Sequence, residues 1–374
     1  MDCCKSYVLG ARMFNPIHYS PSVETIGDDE SQIVNDILAM MAASQRASMD
    51  RHRHAHRDAH SKSHAVLKAR LTVRENLPAH LAQGIFSQPC SYEVMVRLSS
   101  APGDIHSDKV PAPRGFAIKV IGVEGERLIP ELDGRNQDLL MVNFPVIAFG
   151  TVAKYKKLLG LLEKNAQTPD FFQRIVAGTA RASENFVEAL GKTPGATLQG
   201  LARDNNNILG ETYHTQAAIR YGAHVAKLSL QPKSDNVRSL TGELVEVDGH
   251  STMRDVVREF FSSDGAEYDL RAQLCVDLDK MPVEDAAVLW EESLAPQESI
   301  ATLTIDPQDS FSPARRVYGD DVLSFSPWNG IEAHRPLGSI MRVRKLAYER
   351  STAFRHTGNA VERREPDSLD QVPD

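Results

Sequence analysis

Histidines crowd residues 51–64, and the imidazole is the side chain best suited to proton transfer near neutral pH. They are His52, His54, His56, His60 and His64. Such a cluster could hold a metal ion if the backbone were extended. Because no thiolate or carboxylate alternates with the first three, a solvated basic connector is the favoured interpretation of that run.

His60 differs from the others because Arg57 precedes it by three residues and the alternating segment Ala65–Val73 follows it. A single imidazole can take a proton from one atom and return it to another, which makes His60 a candidate general acid–base. The planar guanidinium of Arg57 suits carboxylates. A structural or surface histidine is the alternative in so histidine-rich a stretch.

Period-two alternation of apolar and polar residues predicts strands separated by Pro, Gly and Asp turns. These strands are His64–Val73, Tyr92–Ser99, Phe116–Val123, Asp138–Asn143, Thr212–Arg220, His224–Gln231, Tyr268–Asp277 and Ser299–Ile305. Helical spacing predicts helices after the capping residue Ser31 and over Thr151–Asn165, Asp170–Leu190, Met253–Ser262, Val283–Ser293 and Ile340–Phe354. The succession of strands favours a closed antiparallel β-barrel with surrounding helices, an α+β fold, over a βαβ sheet.

The composition narrows the function class. The 374 residues carry a formal net charge of −8, which argues against general nucleic-acid binding. No apolar run approaches the roughly 20 residues that span a bilayer, and the N-terminus does not resemble a secretory signal. The four cysteines form no spaced framework, which favours a reduced, cytoplasmic protein over lipidation at Cys3 and Cys4. We expect an N-terminal arm over 1–30, one domain over 31–357 and a flexible tail over 358–374.

Six segments of the chain follow one another in an order that is familiar from a known family. They are Arg57–His60, Val96–Ser100, Pro113–Lys119, Asp138–Pro145, Arg220–Leu228 and Ala333–Gly338. Together they resemble the haem catalases, and Pro-Arg-Gly-Phe-Ala-Ile-Lys is the most specific of them. The resemblance covers roughly residues 50–355. It implies a catalase-like fold, a haem b cofactor, a small-molecule peroxide substrate and a possible homodimer.

The resemblance also implies catalytic roles. His60 matches the family's distal histidine, which moves a proton between the two peroxide oxygens. Asn143 is the candidate for the amide that orients the peroxide, although it is displaced by one residue from the family's position. A strand side chain shifted by one residue points to the opposite face unless a β-bulge intervenes.

Cofactor-binding roles follow in the same way. Arg57 and Arg97 match the positions that bind the haem propionates, and Arg335 matches a third such position one residue off. Tyr155 falls where the family has a phenylalanine over the distal face of the haem. Core packing would explain Tyr155 equally well.

The proximal iron ligand is the main departure from the family. Catalases carry R-x-x-x-Y-P ahead of the H-R-H-R-L-G segment, and the tyrosine oxygen binds iron. Here Val322 and Ser326 stand at the Arg and Tyr positions, and a serine hydroxyl is a poor iron ligand. Tyr318, Tyr348 and His334 are weaker candidates, and both tyrosines are favoured as packing residues.

Three functions follow from these observations. The leading hypothesis is a haem-dependent oxidoreductase of the peroxidase or catalase type, acting on hydrogen peroxide or organic hydroperoxides. The alternative is a haem-free binding protein with a catalase-like fold that has lost the proximal tyrosine. The third is metal binding by the histidines of residues 51–64.

Overall fold

A computed structural model describes residues 15–164, except positions 102, 104, 110, 133 and 148, and residues 205–374. The described strands are β1 (Lys62–Val73), β2 (Ser91–Ser100), β3 (Arg114–Val120), β4 (Gln137–Val142), β5 (Tyr213–His214), β6 (Ile219–Tyr221), β7 (His224–Pro232), β8 (Ala266–Leu274) and β9 (Gln297–Ile305). They form one antiparallel sheet in the order β5-β4-β3-β2-β1-β9-β8-β7-β6. The short strand β5 also pairs with β7, and this pairing closes eight of the described strands into a barrel. The predicted closed antiparallel barrel is therefore confirmed.

Alternation explains which side chains fill the barrel. In the second half of β1, Ala69, Leu71 and Val73 are buried whereas Arg70 and Thr72 are exposed, as the two faces of a strand require. The first half of β1 is buried on both faces, because helices and the C-terminal segment cover its outer side. Aromatic rings fill the centre of the core, where Phe116 contacts Tyr213 and Tyr268 at 5.1 and 5.4 Å between ring centroids.

Helices pack around this barrel. In the described part of the chain they are α1 (Glu30–His52), α2 (Val152–Lys164), α3 (Asp235–Arg238), α4 (Thr252–Ser263), α5 (Pro313–Val317) and α6 (Ser339–Asn359), with a π-helical turn over Tyr318–Val322. One apolar cluster joins α1, α2 and α6 through Ile37, Leu38, Val152, Val343 and Ala347. None of the described helices is long and apolar enough to cross a membrane.

Two predicted elements were wrong. Val283–Ser293 is irregular, although Ala286 and Trp290 are buried at helical spacing. Both backbone groups of Ala286 bond outside the segment: its N–H donates to the Gly150 carbonyl at 2.9 Å and its carbonyl accepts from the Ile147 N–H. The predicted strand Thr212–Arg220 is interrupted between β5 and β6, where Gln216 has a φ of 65°. The predicted helix Asp170–Leu190 lies outside the described residues.

Both ends of the described chain contact the barrel. In the N-terminal arm, of which residues 1–14 are outside the described part, the Ile17 N–H donates to the Cys275 carbonyl at 2.7 Å. In the tail, which the sequence predicts to be flexible, Val372 is buried and Glu365 lies 2.7 Å from Lys119. The boundaries of arm, domain and tail stay predictions.

Candidate functional site

The candidate site is a cavity between the barrel and α6. It spans about 660 Å³, a volume that includes the part open to solvent. Its walls come from the loop before β1, strands β2 to β4, the segment before α6 and α6 itself. The lining residues are Arg57, Asp58, Ala59, His60, Arg97, Ser99, Gly115, Phe116, Ala117, Leu140, Met141, Val142, Phe325, Arg344, Tyr348, Ser351, Thr352 and Arg355.

His60 is held at the barrel wall of this cavity. Its backbone adopts the left-handed region with a φ of 53°, and its carbonyl accepts a hydrogen bond from Arg97 at 2.9 Å. The ring nitrogen Nδ1 lies 3.2 Å from the Ser99 hydroxyl. Gly115 gives the ring its space, since a Cβ at that position would lie 2.6 Å from Nδ1. Strands β2 and β3 together therefore fix the imidazole.

The charge state of His60 follows from its surroundings. Burial lowers the pKa of His60 to about 3, and the positive charges of Arg97 and Arg344 act in the same direction. The imidazole is consequently neutral at physiological pH and can accept a proton. This is the protonation state that a general base needs.

Three arginines surround the π-helical turn at one edge of the cavity. Arg57 donates to the backbone carbonyls of Gly319 and Leu323 at 2.7 and 2.6 Å. Arg355 donates to the carbonyls of Asp320 and Leu323 at 2.9 and 3.1 Å. Arg97 reaches the Asp320 carboxylate at 3.4 Å. This edge of the cavity is therefore strongly cationic.

A tyrosine lies in the same cavity as His60. Tyr348 is on α6, and Arg344, one turn earlier on that helix, donates a hydrogen bond to its phenol oxygen at 2.9 Å. The same guanidinium also lies 5.1 Å from the centroid of the Tyr348 ring. Arg355 follows Tyr348 by two helical turns, so all three side chains share the face of α6 that lines the cavity.

Two sequence candidates lie behind the cavity wall rather than in its lining. Asn143 follows the end of β4, and its amide oxygen accepts from the Arg114 N–H at 2.9 Å; Val142 lines the cavity in its place. Tyr155 stacks on Phe149 at 4.5 Å. Burial raises the pKa of Tyr155, and the nearby Asp58 and Tyr348 add to the shift, which places Tyr155 close behind the lining.

The proximal candidates His334 and Tyr318 and the propionate candidate Arg335 also lie outside the lining. His334 accepts from the Ile85 N–H at 3.0 Å, and Arg335 forms an ion pair with Glu332 at 2.7 Å. Tyr318 packs in an apolar cluster with Val66 and Met95.

Ser326 is likewise absent from the lining. The backbone N–H of Ser326 donates to Asp138 at 2.9 Å, and its hydroxyl accepts from the backbone of Trp328 at 3.2 Å. The neighbouring Phe325 lines the cavity instead.

For the histidines of residues 51–64, metal binding was the less favoured interpretation, and they are not arranged as a metal-binding set. His54 forms an ion-pair geometry with Asp321 at 2.7 Å, and the rings of His52 and His56 contact each other at 5.3 Å. Within the described ranges, no three His, Cys, Asp or Glu side chains are placed so as to hold a metal ion.

Sequence reasoning therefore missed Arg344 and Arg355 as cavity residues and favoured Tyr348 as a packing residue, whereas all three line the cavity. A signal was available: Arg344-Lys345-Leu346-Ala347-Tyr348 has the R-x-x-x-Y spacing of the catalase proximal motif. It follows the Ala333–Gly338 segment, whereas the family's motif precedes the corresponding segment. When the family pattern is aligned on Ala333–Gly338, Ser326 falls at the position of the family's tyrosine.

A fungal catalase is similar in structure, with a TM-score of 0.57 and 15% identity over 84% of this chain and 62% of that one. Catalase A from Saccharomyces cerevisiae has a TM-score of 0.56 and 16% identity over 87% and 68% of the two chains. A bacterial catalase has a TM-score of 0.57 and 15% identity over 92% and 64%.

The chain thus has a catalase-like fold and spans about two thirds of the length of these structures. No protein-family model matches the sequence, and no curated protein matches it. At this level of identity the likeness shows the fold, and the chemistry must be argued from the cavity.

Proposed function

We propose that this protein binds haem and acts as an oxidoreductase on hydrogen peroxide or organic hydroperoxides. One observation carries the proposal: a single cavity contains a neutral histidine, a tyrosine with an arginine on its oxygen, and a cationic edge. Each of these groups has a separate use in binding haem or handling peroxide. The catalase-like fold supports the same function.

The residues of the cavity fit haem. Phe116, Leu140, Met141, Val142 and Phe325 supply apolar surface for a macrocycle. Arg57, Arg97 and Arg355 suit its two carboxylates through their planar donor groups. The phenol oxygen of Tyr348 is an iron ligand of the type that catalases use. Haem would supply the redox chemistry of iron, which no side chain can provide.

His60 would move the proton of the peroxide. Its neutral imidazole can accept a proton from one peroxide oxygen and deliver it to the other as the O–O bond breaks. The hydrogen bond with Ser99 and the contact with Gly115 keep the ring in one orientation. The charge of the nearby Arg97 and Arg344 favours return of the proton, since both disfavour the imidazolium.

Arg344 would act on the phenol oxygen of Tyr348. A guanidinium that donates to the phenol oxygen stabilises negative charge on that oxygen. An anionic oxygen is the stronger donor to a ferric ion.

A haem-free binding protein is the second candidate. It is favoured because Arg57 and Arg355 already donate hydrogen bonds to backbone carbonyls, so these arginines have partners without haem. In that case the cavity would bind an anionic organic ligand through the same arginines.

The visible spectrum of untagged protein expressed with excess haem precursor separates the two candidates. We expect one haem per chain with a phenolate-type ferric spectrum, which Tyr348→Phe should lose. Tyr318→Phe is the matched control, because Tyr318 is also a partly buried tyrosine but lies outside the cavity lining. Absence of haem in the wild type would overturn the proposal, and an unchanged spectrum in Tyr348→Phe would reject the ligand assignment.

His60→Ala tests the catalytic part of the proposal. It should retain haem and lose most of its reaction with hydrogen peroxide, by roughly 10²–10⁴-fold, which is the usual contribution of a general acid–base.

A further inference from the structure

The chain supplies its own carboxylate to the arginines of the cavity. Oδ1 of Asp320 lies 3.4 Å from a guanidinium nitrogen of Arg97 and 3.7 Å from one of Arg57. The Arg97 side chain is only 3% exposed, whereas that of Asp320 is 28% exposed. The carboxylate therefore reaches a buried cationic pair from the solvent side.

The arginines need this partner because they repel one another. Burial lowers the pKa of Arg57 well below its usual value, and the charges of Arg97 and Arg355 lower it further. Asp320 acts in the opposite direction on Arg57 and Arg97. Among the ion pairs of the described residues, no carboxylate other than Asp320 lies within 4.0 Å of these arginines.

The adjacent acid is directed elsewhere. Asp321 lies 2.7 Å from the Nε2 atom of His54 and accepts from the amide of Asn359 at 3.4 Å. The turn thus presents two consecutive carboxylates: Asp320 forms the ion pairs with Arg57 and Arg97, whereas Asp321 pairs with His54 and acts on the pKa of Arg57 without an ion pair to it. This difference provides a matched control.

We propose that Asp320 is an internal carboxylate that neutralises Arg57 and Arg97 in the ligand-free protein and competes with the carboxylates of the bound tetrapyrrole for them. The inference rests on the proposed function, since it concerns how the same cavity takes a dicarboxylate ligand. Two anions cannot share one arginine pair without mutual repulsion. The affinity for the ligand is consequently lower than the arginines alone would allow.

Asp320→Asn removes the negative charge and keeps the shape of the side chain. Without its charge, Arg57 and Arg97 lose their nearest counter-ion, so the ligand-free variant should melt at a lower temperature than the wild type. A ligand carboxylate then meets no competitor. We expect metal-free protoporphyrin IX to bind about tenfold more tightly to the variant.

The experiment compares metal-free protoporphyrin IX with its dimethyl ester. Binding is measured by fluorescence titration of full-length wild type, Asp320→Asn and Asp321→Asn, and the melting temperature is measured with and without each ligand. The gain in Asp320→Asn should appear with the free acid and be absent with the ester, whose esterified groups carry no charge. Asp321→Asn, which forms no ion pair with Arg57 or Arg97, should improve binding of the free acid much less than Asp320→Asn does.

Each outcome decides the inference. It is overturned if Asp320→Asn binds the free acid no better than the wild type, if the ester gains equally, or if Asp321→Asn gives the same improvement. Because the probe has no iron, the result does not depend on Tyr348. A wild type without a haem spectrum, together with a carboxylate-dependent gain in Asp320→Asn, would refute the proposed function and leave the inference standing.

Discussion

His60 illustrates how a strand pair can set the state of one side chain. Burial keeps its imidazole neutral, while Ser99 from β2 and Gly115 from β3 leave it one position to occupy. The orientation of the ring matters as much as its charge, because a proton acceptor must lie within hydrogen-bonding distance of the proton it takes.

Ser99→Ala tests this orientation. The variant loses the hydrogen bond to Nδ1 of His60, so the ring becomes free to turn. We expect the reaction with hydrogen peroxide to slow on the order of tenfold, with haem binding unchanged, as for other residues that orient a reacting group. Stopped-flow rates and haem content measure the two effects. Thr72→Val, at the far end of β1, is the control and should change neither quantity. If Ser99→Ala lost haem in proportion to its loss of rate, Ser99 would have a structural role instead.

At the scale of elements, α6 connects the cavity to the helical layer. Arg344, Tyr348, Ser351 and Arg355 recur every three or four residues and line the cavity, whereas the Ala347 side chain packs against α1 and α2. One helix therefore positions the tyrosine and two arginines by packing its neighbouring face, with Val343 and Ala347, against α1 and α2.

The sequence predicts the strands better than the site, for a physical reason. Alternation reports directly which side of a strand is buried, so the barrel was predictable from local pattern. Arg57 and His60 were found in the same way, because they sit immediately before a strand. The R-x-x-x-Y spacing from Arg344 to Tyr348 was the local signal for that tyrosine, but its place in the cavity depends on how α6 docks on the barrel, and alternation does not report such long-range packing.

The failed helix Val283–Ser293 shows the same limit. Apolar spacing of three to four residues was present, with Ala286 and Trp290 buried. Hydrogen bonds to residues 147–150 replaced the helical bonds. Spacing indicates which side chains are buried and does not determine where the backbone groups find their partners.

The C-terminal segment is tied to the barrel by a buried ion cluster. Nζ of Lys119 lies 2.7 Å from both Asp138 and Glu365, and the Lys119 and Asp138 side chains are fully buried. Glu365 is the member that the segment after α6 contributes. The Lys119 ammonium also lies 5.2 Å from the centroid of the Phe325 ring, so the cluster contacts the segment before α6 as well.

Glu365→Gln tests this attachment. Lys119 keeps Asp138 but loses its second carboxylate, so we expect the free energy of unfolding in urea to fall by roughly 2 kcal/mol, less than for a fully broken buried pair. Glu362→Gln is the matched control, since Glu362 and its partner Arg364 are 77% and 74% exposed. The control should cause no measurable change. Equal stability of both variants would show that the segment is not held by this cluster.

At the scale of the whole molecule, the fold buries titratable groups of both kinds. Burial lowers the pKa of His60 to about 3 and that of His334 to about 4, and it raises the pKa of Asp58 and Asp138 to about 6. The histidines bind protons more readily in the unfolded chain, so they reduce stability as the pH falls below 6.5. The acids bind protons more readily in the folded chain, so they reduce stability as the pH rises through 6.

Because these two contributions have opposite signs, the effect of one histidine must be isolated with a single variant. His334→Gln retains an acceptor for the Ile85 N–H but cannot titrate. The wild type should lose roughly 2 kcal/mol of stability relative to this variant between about pH 7 and about pH 4.5, because the unfolded chain gains a proton that the folded histidine does not take. Urea unfolding at the two pH values measures the difference. His250→Gln is the control, because His250 is exposed, and it should lose stability as the wild type does. If His334→Gln also lost as much stability as the wild type, the buried ring of His334 would take up its proton without unfolding.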